Sequence, residues 1–389
     1  MKLRSIKGTD FLNKRTLVRC GFDVPFDEQG NIVEDERIIE CLETLKYILG
    51  KGGKLILCGH NGRPKGKVIP KLSMNKVGES LEKHLGKKVV KLNDCVGPMV
   101  ENAIAKMKSG EVILLENLRF HAEEETDDES FAKQLASLAE IYVNEAFANC
   151  HRRHASMTGV PKFLPAYAGF RLQEEVRVLS GALDNPRRPL IAIIGGAKIS
   201  DKLNVINQFM HLADHVLIGG ALANTILKAK GVSVGKSLVE EGMEENVKKL
   251  DLTSNQIHLP VDVVTANKID ATAITSIRAV GSVTDNEYIL DIGPDTIKLF
   301  GLIIKQAKTI VWGGPMGYFE LKNFAQGTSQ VAKEVADSGA ESIVGGGDTI
   351  EAIKLAGFKK KMSFVSTGGG AMLEFIEKGT LPALEPLII

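Results

Sequence analysis

Short apolar runs rich in β-branched residues recur along this chain, separated by stretches whose apolar residues return every three or four positions. The first pattern reads as buried strands and the second as amphipathic helices. Strands are expected at residues 16–20, 54–58, 88–92, 112–115 and 141–144. A second series is expected at 190–194, 215–218, 309–312, 342–344 and 363–366. Helices are expected between them, with 37–49 and 71–85 clearly periodic. Near-continuous apolar strands in alternation with helices imply an α/β chain, with parallel sheets covered on both faces. Ligands of such sheets bind beyond the carboxyl ends of the strands.

At 389 residues the chain exceeds one ordinary core, so two domains are expected. The periodic segment 170–183 is stopped by Asp184-Asn185-Pro186 and reads as a connecting helix. A hydrophobic share of 44% with 25% charged residues belongs to a folded globular chain. The net charge of +1 argues against a dedicated nucleic-acid binder, so any anion site must be a local cluster. Cys20, Cys41, Cys58, Cys95 and Cys150 are scattered, with no C-x-x-C pair, as expected of reduced thiols in the cytosol. The opening MKLRSIKGTDFLNKR shows no apolar secretory core, and the longest apolar runs are strand-sized. A cytoplasmic location without membrane contact is the expectation.

The first half places cations just past its strands: Arg19, Arg37, His60, Arg63, Arg119, His151, Arg152 and Arg153. Singly they read as surface charges. Loops at one sheet edge converge, however, and the guanidinium fork suits carboxylate and phosphate, so together they point to a shared anion site. GHNGRPKG at 59–66 lacks the G-x-G-x-x-G spacing of a dinucleotide fingerprint. Cys58 with His60, and Cys150 with His151 and His154, fit no common zinc spacing. The acidic run 123–129 reads as a solvated loop.

In the second half, GGAKISDK at 195–202 follows a strand and is expected to open a helix, with Lys198 and Lys202 one turn apart. GVSVGKS at 231–237 imitates a P-loop but has three residues where four are required, and a helix rather than a strand precedes it. GGGDT at 345–349 offers a backbone cradle, with Asp348 placed either for a magnesium-bound phosphate or as a plain helix cap. TGGGA at 367–371 adds another glycine turn.

In collinear order these stretches resemble the phosphoglycerate kinase family. The resemblance is carried by RCGFDVP (19–25), GHNGRP (59–64), LLENLRFH (114–121), NEAFANCHRRHAS (144–156) and GGAKISDK. It continues through LPVD (259–262), DIGP (291–294), WGGPMGYFE (312–320), GGGDT and STGGGA (366–371). It implies two Rossmann-like three-layer domains with parallel sheets joined by a hinge helix. The implied layout is residues 1–169 for phosphoglycerate, a hinge helix at 170–184, residues 185–375 for the nucleotide, and a tail at 376–389 returning to the first domain.

The implied activity is reversible phosphoryl transfer from 1,3-bisphosphoglycerate to ADP, giving 3-phosphoglycerate and ATP in glycolysis, with Mg2+ accompanying the nucleotide. The implied acid-substrate set is Gly21, Phe22, Asp23, Arg37, His60, Asn61, Gly62, Arg63, Arg119 and Arg152. The implied nucleotide set is Gly195, Gly196, Lys198, Lys202, Gly219, Gly220, Glu320, Gly346, Gly347, Asp348 and Thr349, with Asp348 on the metal. Arg37, Lys198 and Gly346 are the implied catalytic groups, and a monomer without nucleic-acid partners is implied. The chain departs from the family pattern at Gly21 and Asp23, where the family carries Asp and Asn, and at Gly59, Asn61, Glu145, Ala148, Asn149 and Gly313. Other readings are a catalytically weakened nucleotide-binding relative with a regulatory role, and a kinase for a related acid.

Overall fold

All ten expected strands form, and all ten lie in parallel sheets. The computed structural model describes residues 1–251 and 254–389. Two units result, Met1–Arg177 with Thr380–Ile389, and Val178–Gly379.

The first unit contains β1 (Arg15–Arg19), β2 (Lys54–Cys58), β3 (Val89–Lys91), β4 (Val112–Leu114), β5 (Ile141–Asn144) and β6 (Ala166–Ala168). Its helices are α1 (Glu36–Gly50), α2 (Asn75–Leu85), α3 (Pro98–Ala105), α4 (Ala122–Glu125) and α5 (Glu129–Ser137), while α6 (Phe170–Asp184) begins in this unit and runs on into the second. The strands are parallel in the order β3-β4-β2-β1-β5-β6. Consecutive residues of β1, β2 and β5 are buried, so both sheet faces are covered, as the unbroken apolar runs required. From β1 the chain builds outward through β2, and it later returns on the other side with β5. The order therefore reverses between β1 and β5, where the family of open α/β sheets places its ligands.

Helix α2 begins later than residue 71 because Glu116 captures the preceding backbone. Its carboxylate accepts from Met74 N at 2.8 Å and Ser73 Oγ at 2.9 Å, leaving only a short 3-10 turn at Pro70–Leu72. The chain end is also part of this unit. Leu3 bridges Ile388, Ala383 N donates to Cys150 O at 3.1 Å, and Leu381, Ala383, Leu384 and Leu387 are fully buried.

The second unit contains β7 (Leu190–Ile194), β8 (His215–Ile218), β9 (Ile257–His258), β10 (Asp262–Ala266), β11 (Ser276–Ala279) and β12 (Tyr288–Ile292). It continues with β13 (Thr309–Gly313), β14 (Glu341–Gly345) and β15 (Phe364–Val365). Its helices are α7 (Leu203–Leu212), α8 (Gly220–Ala229), α9 (Glu244–Val247), α10 (Pro294–Ile304), α11 (Gln326–Asp337), α12 (Gly347–Leu355) and α13 (Gly369–Lys378). The main sheet is parallel in the order β15-β14-β13-β7-β8-β9. Read from β9, that is the doubly wound dinucleotide-fold order, with its reversal between β7 and β13. A separate antiparallel sheet, β11-β10-β12, was not anticipated. Among the described residues, no helix is long and apolar enough to cross a membrane, and all five cysteines are free and buried.

Candidate active site

Arg19 ends β1 as a fully buried charge after the buried run Thr16–Val18. A buried guanidinium must find partners. Its Nε donates to Ser156 Oγ at 3.0 Å, its Nη1 to Cys20 O, and its Nη2 to His60 Nδ1 at 2.9 Å. Arginine only donates, so His60 Nδ1 is the acceptor and the ring's proton sits on Nε2. Burial, with Arg19, Arg119, His154 and Arg152 nearby, holds the His60 pKa well below its usual range. His60 is therefore a neutral donor through Nε2 at neutral pH.

Beneath this pair lies a carboxylate that the acidic run concealed. The solvated-loop expectation fails at Glu124, which is fully buried on α4 and accepts from Ser156 N at 2.9 Å and Ser156 Oγ at 2.6 Å. Burial raises its pKa, opposed by Arg19. His154 lies 3.8 Å from Glu124, and its pKa is pushed down to about 3 by burial and by Arg19, Arg119 and Arg152.

The loop after β1 folds over this base. Asp23 Oδ1 accepts from Gly62 N at 2.9 Å, and Asp23 Oδ2 lies 3.8 Å from His60 Nε2 and 3.9 Å from Arg37 Nη1. Arg37, in the first turn of α1, also donates to Asp23 O at 2.8 Å. Arg119 donates through Nη1 to Gly62 O at 2.8 Å and lies 3.3 Å from Glu125. The structure thus gathers Asp23, Arg37, His60, Gly62 and Arg119, with Arg152 close enough to act on His60 and Arg119. Arg63 is exposed on the His60 loop.

Two residues of the expected set have other duties. Phe22 is buried, and Asn61 spends its amide on Phe22 O and Val24 O, both at 3.3 Å. Asn61 therefore holds the 21–24 loop instead of presenting its side chain. Arg19 was counted among the cations expected to share an anion site, but its role as the buried partner of His60 was not anticipated, and Glu124 and Ser156 were not placed in the expected set.

In the second unit the glycines meet backbone to backbone where the sheet order reverses. Gly195 N donates to Gly313 O at 3.0 Å and Gly196 N to Pro315 O at 3.0 Å. Gly314 has φ +100°, and a Cβ there would lie 2.0 Å from Gly195 O, so only glycine fits. Thr349 Oγ1 accepts from Gly314 N at 2.7 Å and is committed to that loop. Gly346 caps α12 with φ +102° and packs against Gly369, while Gly347 faces open space. Asp348 is not the cap. It is exposed in the first turn of α12.

The segment 195–202 does not open a helix, as α7 begins at Leu203 with Lys202 as its cap residue. Glu240 draws the loop away by accepting from Ser200 N at 3.0 Å. Lys198 is exposed on that loop, whereas burial lowers the Lys202 pKa to about 8, opposed by Asp201 and Asp348. A Cβ on Gly313 would lie 3.7 Å from the Lys202 ammonium. The false P-loop serves elsewhere, with Gly235 bridged to Tyr288 and Ser237 Oγ accepting from Ile289 N at 2.7 Å.

Beside the glycines lies a cavity of about 230 Å³. Gly196, Gly220 and Pro315 form one edge, Leu238, Tyr288 and Leu290 form apolar wall, and Glu320 and Asp348 also line it. Val263, Tyr288, Ile289, Leu290 and Ile292 of its wall come from the unanticipated antiparallel sheet and were missed.

The family profile described as phosphoglycerate kinase matches residues 6–379. A phosphoglycerate kinase of Moorella thermoacetica is 48% identical over 387 residues, covering 98% of both chains. A chloroplastic phosphoglycerate kinase of Volvox carteri is also 48% identical, covering 97% of this chain and 84% of its own. Among solved structures, phosphoglycerate kinase from Coxiella burnetii superposes with a TM-score of 0.88 at 38% identity, covering 99% of this chain and 98% of the other.

Proposed function

The chain belongs to the phosphoglycerate kinase family, and from that premise we propose that it transfers a phosphoryl group reversibly between 1,3-bisphosphoglycerate and ADP. The observation that carries this reading is the cationic cluster at the reversal point of the first sheet, where Arg37 and His60 stand about one carboxylate, Asp23. A small, multiply charged anion is the ligand such a cluster suits. Arg37, His60, Arg63, Arg119 and Arg152 bind the acid substrate, Arg37 with its side chain half-exposed and so accessible to it. Neutral His60 offers a hydrogen bond from Nε2 without adding charge.

In the second unit the apolar cavity takes the purine, Glu320 takes the ribose hydroxyls, and the backbone about Gly195, Gly196, Gly219, Gly220, Gly346 and Gly347 takes the phosphates. Helix α12 presents its N-terminal amides there. Asp348 is a fitting magnesium ligand, an exposed carboxylate whose charge acts on Lys202. Magnesium bound there would neutralise nucleotide phosphate charge.

An acyl phosphate is already a strong donor, so no covalent enzyme intermediate or strong base is needed. The protein's work is to align the oxygens, stabilise charge on the transferring group and exclude water. Arg37 of the first unit and Lys198 of the second are the proposed charge-stabilising cations, the Gly346 amide is the proposed backbone donor, and transfer is proposed to follow hinge closure about α6. A regulatory relative without activity is disfavoured by the retained cations in both units. The proposal includes a monomer in the cytoplasm. A coupled assay of ATP consumption tests it, comparing 3-phosphoglycerate with related hydroxy acids. Turnover should be highest with 3-phosphoglycerate, and preference for another acid would reject the substrate assignment.

A further inference from the structure

Strands β3 and β4 end side by side, and each is followed by metal-ligating side chains. After β3 come Asp94 and Cys95, and seven residues after the end of β4 comes His121. One donor atom from each lies within 4.8 Å of the others. His121 Nε2 and Asp94 Oδ1 are 2.7 Å apart, and Cys95 Sγ donates to Glu116 O at 3.1 Å. The His121 ring is fixed by stacking on Phe131, with centroids 4.9 Å apart. None of the three side chains has a place in the phosphoryl-transfer chemistry above.

We propose that Asp94, Cys95 and His121 form a binding site for a borderline-soft divalent cation of the zinc class. Thiolate, imidazole and carboxylate together match that class, while magnesium takes oxygen donors only. Tetrahedral ligation at zinc bond lengths separates two light donors by about 3.3 Å, so the His121–Asp94 contact must open by about 0.6 Å. Asp94 is exposed and His121 partly so, which lets them move and leaves a fourth position for water. Cys95 is buried with its Sγ held against Glu116 O, so it is the fixed member of the set. Ligation forms a metal–sulfur bond with release of the thiol proton to solvent, and His121 exchanges through solvent the Nε2 proton that now faces Asp94 Oδ1 for one on Nδ1, freeing its Nε2 lone pair for the metal.

The site would act on the neighbouring segment. Asn117 donates to Asn61 O at 2.7 Å and Leu72 O at 2.9 Å, and Arg119 lies two residues from His121. Binding itself needs neither substrate, so its test is independent of the proposed reaction.

The test is a cobalt(II) titration of the full-length protein without nucleotide or acid. We expect one equivalent to bind with a near-ultraviolet thiolate-to-cobalt band that zinc displaces. Cys95→Ser should abolish the band, and His121→Gln should weaken binding at least about tenfold with unchanged circular dichroism. Absence of the band, or its survival in Cys95→Ser, overturns the proposal. Should Cys95→Ser fail to fold, His121→Gln decides, because unaltered affinity in that partly exposed variant overturns the site equally.

Discussion

Asp23→Asn separates two accounts of the altered loop after β1. In one, Asp23 has taken over the substrate hydroxyl contact that the family's aspartate makes from the position of Gly21. In the other, both contacts are lost and Asp23 merely repels an anionic substrate. The two accounts predict opposite signs. Asp23 Oδ1 is already bound to Gly62 N, and Oδ2 faces Arg37 at 3.9 Å and His60 at 3.8 Å, so Oδ2 is the atom that could accept a hydroxyl. A charge-assisted hydrogen bond is worth about 1.5–3 kcal/mol, so losing it should raise KM for 3-phosphoglycerate about 10- to 150-fold.

Repulsion works the other way. Two anions about 4 Å apart cost roughly 4 kcal/mol at an effective dielectric of 20. The Asp23 side chain is 42% exposed, and solvent screening brings the net term to about 1 kcal/mol or less. Relief of repulsion could then lower KM only about fivefold. A Cβ at Gly21 meets nothing within 4 Å, so an aspartate can be accommodated there. The double variant Gly21→Asp/Asp23→Asn should therefore recover most of the lost affinity. Steady-state kinetics with varied 3-phosphoglycerate at saturating ATP reads all three forms. A lower KM in Asp23→Asn alone refutes the takeover.

Arg37→Ala should lower kcat roughly 10²–10⁴-fold with little change in nucleotide affinity, and near-normal turnover would remove Arg37 from the transfer step. Because Lys202 is lowered to about 8, the free protein loses that charge as pH rises through 8. Above this pH the ADP phosphates are already ionised, so the ADP dissociation constant should climb between pH 8 and 9.5, and calorimetry should show that Lys202→Gln flattens the slope. Gly314→Ala forces a Cβ to 2.0 Å from Gly195 O at φ +100°, so it should cost at least about 2 kcal/mol in denaturant unfolding and weaken nucleotide binding. Deleting residues 381–389 uncovers the sockets of Leu381, Leu384 and Leu387, and should destabilise the first unit by several kcal/mol, read as an earlier unfolding transition.

Where a segment is buried on both faces, its sequence announced it. Leu190–Ile194 and Lys54–Cys58 are apolar almost throughout because helices cover both sides, and both strands were read to the residue. In the sheet β11-β10-β12, Ile277 on edge strand β11 is 63% exposed, so no continuous buried run marks that strand, while Asp262 and Thr265 on β10 and Asp291 on β12 interrupt the apolar runs of the other two. Residue type revealed the cations but not their ranking. Arg19 becomes central through Ser156 and His60, which are distant in sequence, and Glu124 is buried by the same contacts. The Arg19 charge is visible at the strand end, but nothing local marks its ranking or the burial of Glu124. The shifted starts of α2 and α7 have the same origin, since Glu116 and Glu240 reach in from elsewhere to capture backbone that local periodicity assigns to a helix.

Under the proposed function, each unit would solve its binding problem at the same topological place with opposite chemistry. The first would hold a small anion, yet a pocket of free cations would repel itself. Arg19 is accordingly buried against neutral His60 and above Glu124, and Arg119 is set beside Glu125. Much of the positive charge is thus answered from below, and Arg37 is left half-exposed, facing Asp23. The ligand proposed for the second unit is mostly a flat apolar base with phosphates at one end. There the sheet edge is stripped of side chains at Gly195, Gly196, Gly314 and Gly346, so that backbone amides and the start of α12 can supply the positive potential. A net charge of +1 over the whole chain is consistent with this arrangement, because neither site depends on the total. Substitutions that change surface charge away from these two edges should therefore leave both substrate affinities nearly unchanged at physiological salt, where such charges are screened beyond about 8 Å.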